Sequence, residues 1–226
     1  MQRPVLEHHE GVVVIRDDLL PGGTKSRFLL PYLKTLEAAE IVYAGPAQGG
    51  AQVALAITAY QAGKQATLFV PARKERTTYT GLAELYGARI IEVAPGHLSV
   101  LKARARDYCN QRGAHLLPFG LDLPEAIDGI AEAAKSIDFA PREVWCAAGS
   151  GVLAKALAKA WPEARICAVE VGKEAPGAAY AASIPFSTKS PTRPPFPSNP
   201  YYDAKAWHEC QKHKGTDGVL FWNVSI

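Results

Sequence analysis

The chain has 226 residues, 48% of them hydrophobic and 21% charged, enough for one sizeable core or two small lobes sharing one. No apolar run approaches the roughly 20 residues of a membrane helix, and the amino terminus, with Glu7, His8, His9 and Glu10, lacks a secretory signal's apolar region, so a cytoplasmic protein off the membrane is expected. The net charge of +3 is too mild to argue by itself for a nucleic-acid partner, and Cys109, Cys146, Cys167 and Cys210 are too scattered for a metal site, so buried thiols are expected.

Short β-branched runs alternate with Ala-rich helical stretches, the pattern of βαβ units. Residues 11–16 read as a strand. Phe28, Leu29, Tyr32, Leu33 and Leu36 then recur at helical spacing within 26–39, which puts Lys25 at or just before a helix start. Strands come next at 39–44, 66–71 and 88–93, with helices at 51–63, 81–86 and 98–111, Gly63 being a helix stop. Further on lie helix 124–136, strand 143–147, helix 152–161, strand 164–171, helix 203–214 and strand 219–222. The alternation predicts an α/β protein of two lobes, each a mostly parallel sheet covered by helices: residues 1–38 with 118–226 in the larger, 39–117 in the smaller. Between 184 and 200, Pro185, Pro191, Pro194, Pro195, Pro197 and Pro200 mark an irregular surface loop, a stiff connector or a cover.

Three turns carry candidate chemistry. In the first, Asp17 to Lys25, a lysine follows Gly22 and Gly23 and precedes a helix. A helix amino terminus repels a cation and so depresses an amine pKa, as a Schiff-base lysine requires; a plain surface lysine is the competing reading. In the second, Gly149, Ser150, Gly151 and Val152 join a strand to a helix, where backbone N–H groups and the helix dipole suit a phosphate. A tight turn without ligand would select the same glycines. The third, Gln48, Gly49, Gly50, Ala51 and Gln52, lacks a P-loop lysine and the Gly-x-Gly-x-x-Gly spacing; its amides suit a second anion such as a substrate carboxylate.

In their order along the chain the three turns resemble the fold-type II, tryptophan-synthase-β-like pyridoxal-phosphate enzymes: cysteine synthase, threonine dehydratase, aminocyclopropane-carboxylate deaminase and relatives. Val14 to Lys25 looks like the segment ending in the cofactor lysine, most of all in the deaminase branch. Gly149 to Val152 fall where the family binds cofactor phosphate. Asp217 to Ser225 is similar to the strand whose Ser or Thr meets the pyridine nitrogen, which gives that role to Ser225. The family usually continues into further helices beyond that strand, so the resemblance implies a carboxyl-terminally shortened version. Where the family carries Ser or Thr followed by Asn, this chain has Gly49 and Gly50, so the side-chain contact is absent or comes from Gln48 or Gln52.

The resemblance implies pyridoxal 5′-phosphate held by Lys25 as a Schiff base, a homodimer, no metal, and a lyase or β-replacement enzyme for a small amino acid. Lys25 would serve as general base, the 149–152 amides would anchor phosphate, and the 48–52 turn would hold carboxylate. A second reading keeps the cofactor and places the amino-acid group on a larger carrier such as a modified DNA or RNA base. A third makes the chain a non-catalytic binding protein on the same fold.

Overall fold

A computed structural model describes residues 2–94, 96–171 and 178–225. In chain order the elements are β1 (Leu6–His9), β2 (Val12–Arg16), α1 (Ser26–Thr35), β3 (Glu40–Ala44), α2 (Ala51–Gln61), β4 (Gln65–Pro71), α3 (Thr78–Leu85), β5 (Arg89–Val93), α4 (Leu98–Arg112) and β6 (His115–Leu116). They continue as α5 (Pro124–Lys135), β7 (Glu143–Ala148), α6 (Val152–Ala160), β8 (Arg165–Glu170), β9 (Tyr180–Ala181), α7 (Asp203–His213) and β10 (Val219–Asn223). The chain divides into two units, Met1–Arg27 with Pro124–Ile226, and Phe28–Leu123.

The first unit is built on the sheet β1-β2-β10-β7-β8-β9. Its strands are parallel except β1, which runs antiparallel to β2. A strand covered on both faces reads as an unbroken apolar run rather than an alternation. Every residue of β2 (VVVIR), β7 (EVWCAA) and β10 (VLFWN) is buried, as that rule requires. Val14, Trp145, Phe196, Trp207 and Phe221 form the heart of one core cluster, with the Trp207 and Phe221 rings edge to face at 5.2 Å, a geometry that the ring quadrupoles favour.

The second unit has the all-parallel sheet β5-β4-β3-β6, with α4 closing Val42, Ala44, Phe69 and Val93 beneath Leu101 and Ala105. Thr77 caps α3, its Oγ1 accepting the Thr80 N–H at 3.3 Å, which starts that helix three residues earlier than apolar spacing alone predicts. Gly63 ends α2 with φ +68° and a Lys64 N–H bond to the Ala59 carbonyl. Open space surrounds its missing Cβ, so Gly63→Ala carries backbone strain alone. A loss of about 1–2 kcal/mol is expected, read as a lower urea midpoint with an unchanged slope.

Besides the two-residue strand β9, two parts of the first unit depart from the sequence reading. β1 is additional: His9 pairs with Val12 around Glu10 (φ 51°) and Gly11 (φ 77°), a two-residue hairpin turn needing two left-handed residues, which Glu-Gly signals weakly. The proline-rich stretch is irregular, but it is more than a surface connector. Phe196 and Asn199 within it are buried, Lys205 Nζ donates to the Pro185 carbonyl at 2.8 Å, and Thr192 Oγ1 bonds His208 Nδ1 at 2.6 Å. The four cysteines are all buried and free.

Candidate active site

In parallel α/β sheets, ligands bind beyond the carboxyl ends of the strands, where the connecting turns leave the sheet. β2, β10 and β7 are neighbours in one sheet, with Asn223 opposite Arg16 and Trp222 opposite Cys146, so they end nearly level. β2 leads into the turn that reaches Lys25, β10 into Val224 and Ser225, and β7 into the 149–152 turn. Three segments far apart in the chain therefore leave the sheet at one edge.

The lysine turn is fastened to the end of β10. Gly22 and Gly23 have φ of 86° and 69°, conformations that side chains resist, and the Thr24 N–H donates to the Val224 carbonyl at 3.1 Å. A Cβ on Gly23 would lie 2.3 Å from that carbonyl oxygen and 3.2 Å from Ser225 Cβ. Glycine is thus required there twice over, and Ser225 stands beside the turn that bears Lys25.

Beneath the turn lies a buried ionic layer. Arg27 reaches both oxygens of Asp17, with Nε to Oδ2 at 2.8 Å, and Trp222 Nε1 donates to Asp17 Oδ2 and to Thr24 Oγ1 at 3.0 and 2.9 Å. Arg16 holds Asp18 through two 2.8 Å bonds, while Asn223 Nδ2 donates to Asp18 Oδ1 at 2.7 Å. Asp203, at the start of α7 and 1% exposed, is different. Its carboxylate accepts the Val224 N–H at 3.2 Å and the Ser225 N–H, and the opposite charge it senses is Lys25.

Lys25 as a residue is partly exposed, yet burial lowers its amine pKa, with the Asp203 charge opposing that shift. Burial likewise raises Asp203 to about 7, against its backbone bonds and Lys25. Desolvation disfavours both charges, and a neutral amine is the nucleophilic form. A carboxyl raised in the folded state stabilises fully below its unfolded value of about 4 and loses that contribution as pH climbs to about 7. Cofactor-free protein is therefore expected to lose thermal stability between about pH 4 and 7, and Asp203→Asn to lack that slope, as followed by melting temperature.

The 149–152 turn opens α6. Gly151 is left-handed at φ 82° and the first-turn N–H groups of α6 point off the helix end, a geometry suited to phosphate. The Tyr202 ring approaches within 3.4 Å of where a Gly149 Cβ would stand, and Phe186 meets Tyr202 edge to face at 5.5 Å. The proline-rich stretch thus packs, through Tyr202, against this turn. In the second unit, Gly50 caps α2, and Gln52 is folded into its own turn: Nε2 donates to the Ala47 carbonyl at 2.7 Å and Oε1 accepts from Thr80 at 3.1 Å. Gln48, Gly49 and Ala51 lie in the same turn, with the Gly49 N–H on the Pro46 carbonyl at 3.0 Å.

Sequence reasoning missed Asn223 and Trp222, whose importance comes from burial beside residues about 200 positions away, and Asp203, buried against the amide of Val224. Among the described residues no group of His, Cys, Asp or Glu could hold a metal ion, and no helix is long and apolar enough to cross a membrane.

The structure of an aminocyclopropane-carboxylate (ACC) deaminase homologue superposes with a TM-score of 0.82 at 18% identity, covering 95% of this chain and 84% of that one. The hydrogen sulfide-producing enzyme of Fusobacterium nucleatum gives 0.67 at 16% identity, covering 99% and 84%. The glycyl-dTMP PLP-dependent decarboxylase of Pseudomonas phage M6 is 25% identical over a 260-residue alignment covering 94% of this chain and 93% of that protein. The family described as pyridoxal-phosphate dependent enzyme matches residues 2–214, and with a lysine, a glycine turn and a serine brought to one sheet edge, this chain belongs to the pyridoxal-phosphate-dependent enzymes.

Proposed function

We propose that this enzyme uses Lys25 to hold pyridoxal 5′-phosphate and releases carbon dioxide from an amino-acid group carried on a nucleotide. The observation that carries the proposal is the desolvated Lys25 amine at the shared edge of β2, β10 and β7. The likeness to a glycyl-dTMP decarboxylase along almost the full length of both chains supports the nucleotide-borne substrate.

The residues fit the cofactor. Lys25 offers an amine of lowered pKa, the 149–152 turn offers backbone donors at a helix end, and Ser225 offers a hydroxyl beside the lysine turn. When bound, pyridoxal phosphate supplies an aldehyde that joins an amine and a ring that takes up electrons released at the α-carbon. This chain's share is to bind and to move protons. With the cofactor bound, the 149–152 amides and the α6 dipole would hold its phosphate, the Ser225 hydroxyl would be the partner offered to the ring nitrogen, and Lys25 would supply the proton that takes the place of the departing carboxylate on the α-carbon. Tyr202, backed by Phe186, packs against Gly149 of the 149–152 turn.

The test is carbon dioxide release by cofactor-loaded protein from glycyl-dTMP, free and within DNA, beside free glycine, serine and aminocyclopropane-carboxylate. Turnover of the nucleotide-borne group is expected. Ammonia or β-substituent release from free amino acids, with the nucleotide untouched, would instead establish a small-molecule lyase or β-replacement enzyme.

A further inference from the structure

We propose that Asp203 is a positioning residue for the cofactor ring: its carboxylate holds the backbone of Ser225 from behind and places a negative charge under the site of the ring nitrogen. This rests on the reading of Lys25 and Ser225 as cofactor residues and extends it to a side chain outside the resemblance to the family.

The carboxylate accepts the N–H groups of both Val224 and Ser225, just beyond β10, and the Ser225 carbonyl accepts the Asn199 N–H at 2.9 Å. Ser225 is therefore gripped on both sides of its peptide by the residues leading into α7, while its Cβ lies against Gly23 of the lysine turn. The position of its backbone therefore depends on the residues that lead into α7.

The charges around Asp203 point the same way. The groups it senses are Lys25 on the turn after Gly23, Asp18 after β2, and the Cys146 thiol of β7. Asp18 is already matched by Arg16, and burial raises the Cys146 thiol, keeping it neutral. Lys25 is thus the cation whose charge the buried Asp203 senses. When Lys25 is engaged by the cofactor, the negative charge is left to stabilise positive charge on the ring system. A serine hydroxyl alone does not enforce a protonated ring nitrogen, whereas a carboxylate behind it favours one, and a protonated ring is the stronger electron sink that loss of carbon dioxide calls for.

The experiment titrates the visible absorption of cofactor-loaded wild type, Asp203→Asn, Ser225→Ala and the double variant from about pH 5.5 to 9.5, with pyridoxal phosphate affinity measured in parallel and Lys25→Ala as the blank. Asp203→Asn is expected to move the spectral midpoint about one unit or more to lower pH, because removing a negative charge disfavours the protonated form, and to weaken cofactor affinity at least tenfold. The double variant is expected to show less than the sum of the two single effects, since both act on one group. Asp203→Glu, which restores the charge, is expected to recover part of the midpoint shift. An Asp203→Asn protein with the wild-type midpoint and affinity, altered only in its cofactor-free stability slope, makes Asp203 a structural clasp and overturns the proposal while the Lys25 reading stands. A wild type with no band that Lys25→Ala removes overturns both.

Discussion

Lys25→Ala is expected to abolish the visible band formed with pyridoxal phosphate, to leave no cofactor covalently attached after borohydride reduction, and to lower turnover by about 10²–10⁴-fold or more. Two physical facts support this expectation. The amine is desolvated, which lowers its pKa and favours the neutral, nucleophilic form, and among the described residues no other lysine combines lowered pKa with this sheet edge. Lys205, which burial also lowers, is spent on the carbonyls of Pro185 and Phe186. Lys25→Arg separates charge from nucleophilicity. A guanidinium remains protonated throughout the working range, so it preserves the positive partner of Asp203 and should still give no band. Restoration of covalent attachment by Arg, or its persistence in the Ala variant, would place the cofactor elsewhere.

Arg27→Ala is expected to cost about 3–5 kcal/mol, because it strips the guanidinium from a carboxylate that has no exposure to water. Asp17 would keep the Trp222 indole N–H at 3.0 Å, which supplies a hydrogen bond and no charge. Arg27 Nη1 also holds the Gln2 carbonyl at 2.8 Å, so the amino-terminal segment loosens as well. Urea unfolding at neutral pH reads the loss. Combining Asp17→Asn with Arg27→Met removes both charges and should recover much of the stability, since an uncompensated buried ion costs more than a neutral pair. If that double variant is no better than Arg27→Ala, packing of the arginine stem outweighs its charge.

Most elements were legible locally. β2, β7 and β10 are short, β-branched or aromatic runs, and α1, α2 and α4 show long apolar spacing or a glycine stop, features decided by neighbours within a few residues. β6 and β9, of two residues each, were not, since such short segments pair only because a longer strand presents them an edge. Thr77 was an available cap signal that the apolar pattern overshadowed. In the site, Lys25 and the 149–152 turn could be singled out from residue type and order, and Ser225 through the family resemblance alone. Asp203 looked like an ordinary acid at a helix start, where the dipole favours one, and Gln52 like a side chain able to supply the contact absent at Gly49 and Gly50, whereas its amide is spent on Ala47 and Thr80.

By itself the sequence determined where the chain is strand, where it is helix, and which three turns hold glycines and reactive groups, because those depend on side-chain period and backbone freedom over a few residues. The tertiary structure decided what meets what. Inserting β10 between β2 and β7 joins residues 13–16 to 220–223, and no local pattern encodes a pairing across about 200 positions, since its free energy comes from burying whole strands together. The same insertion brings the Val224 and Ser225 amides to Asp203 and leaves that acid buried, because the strand and α7 together exclude water from its carboxylate.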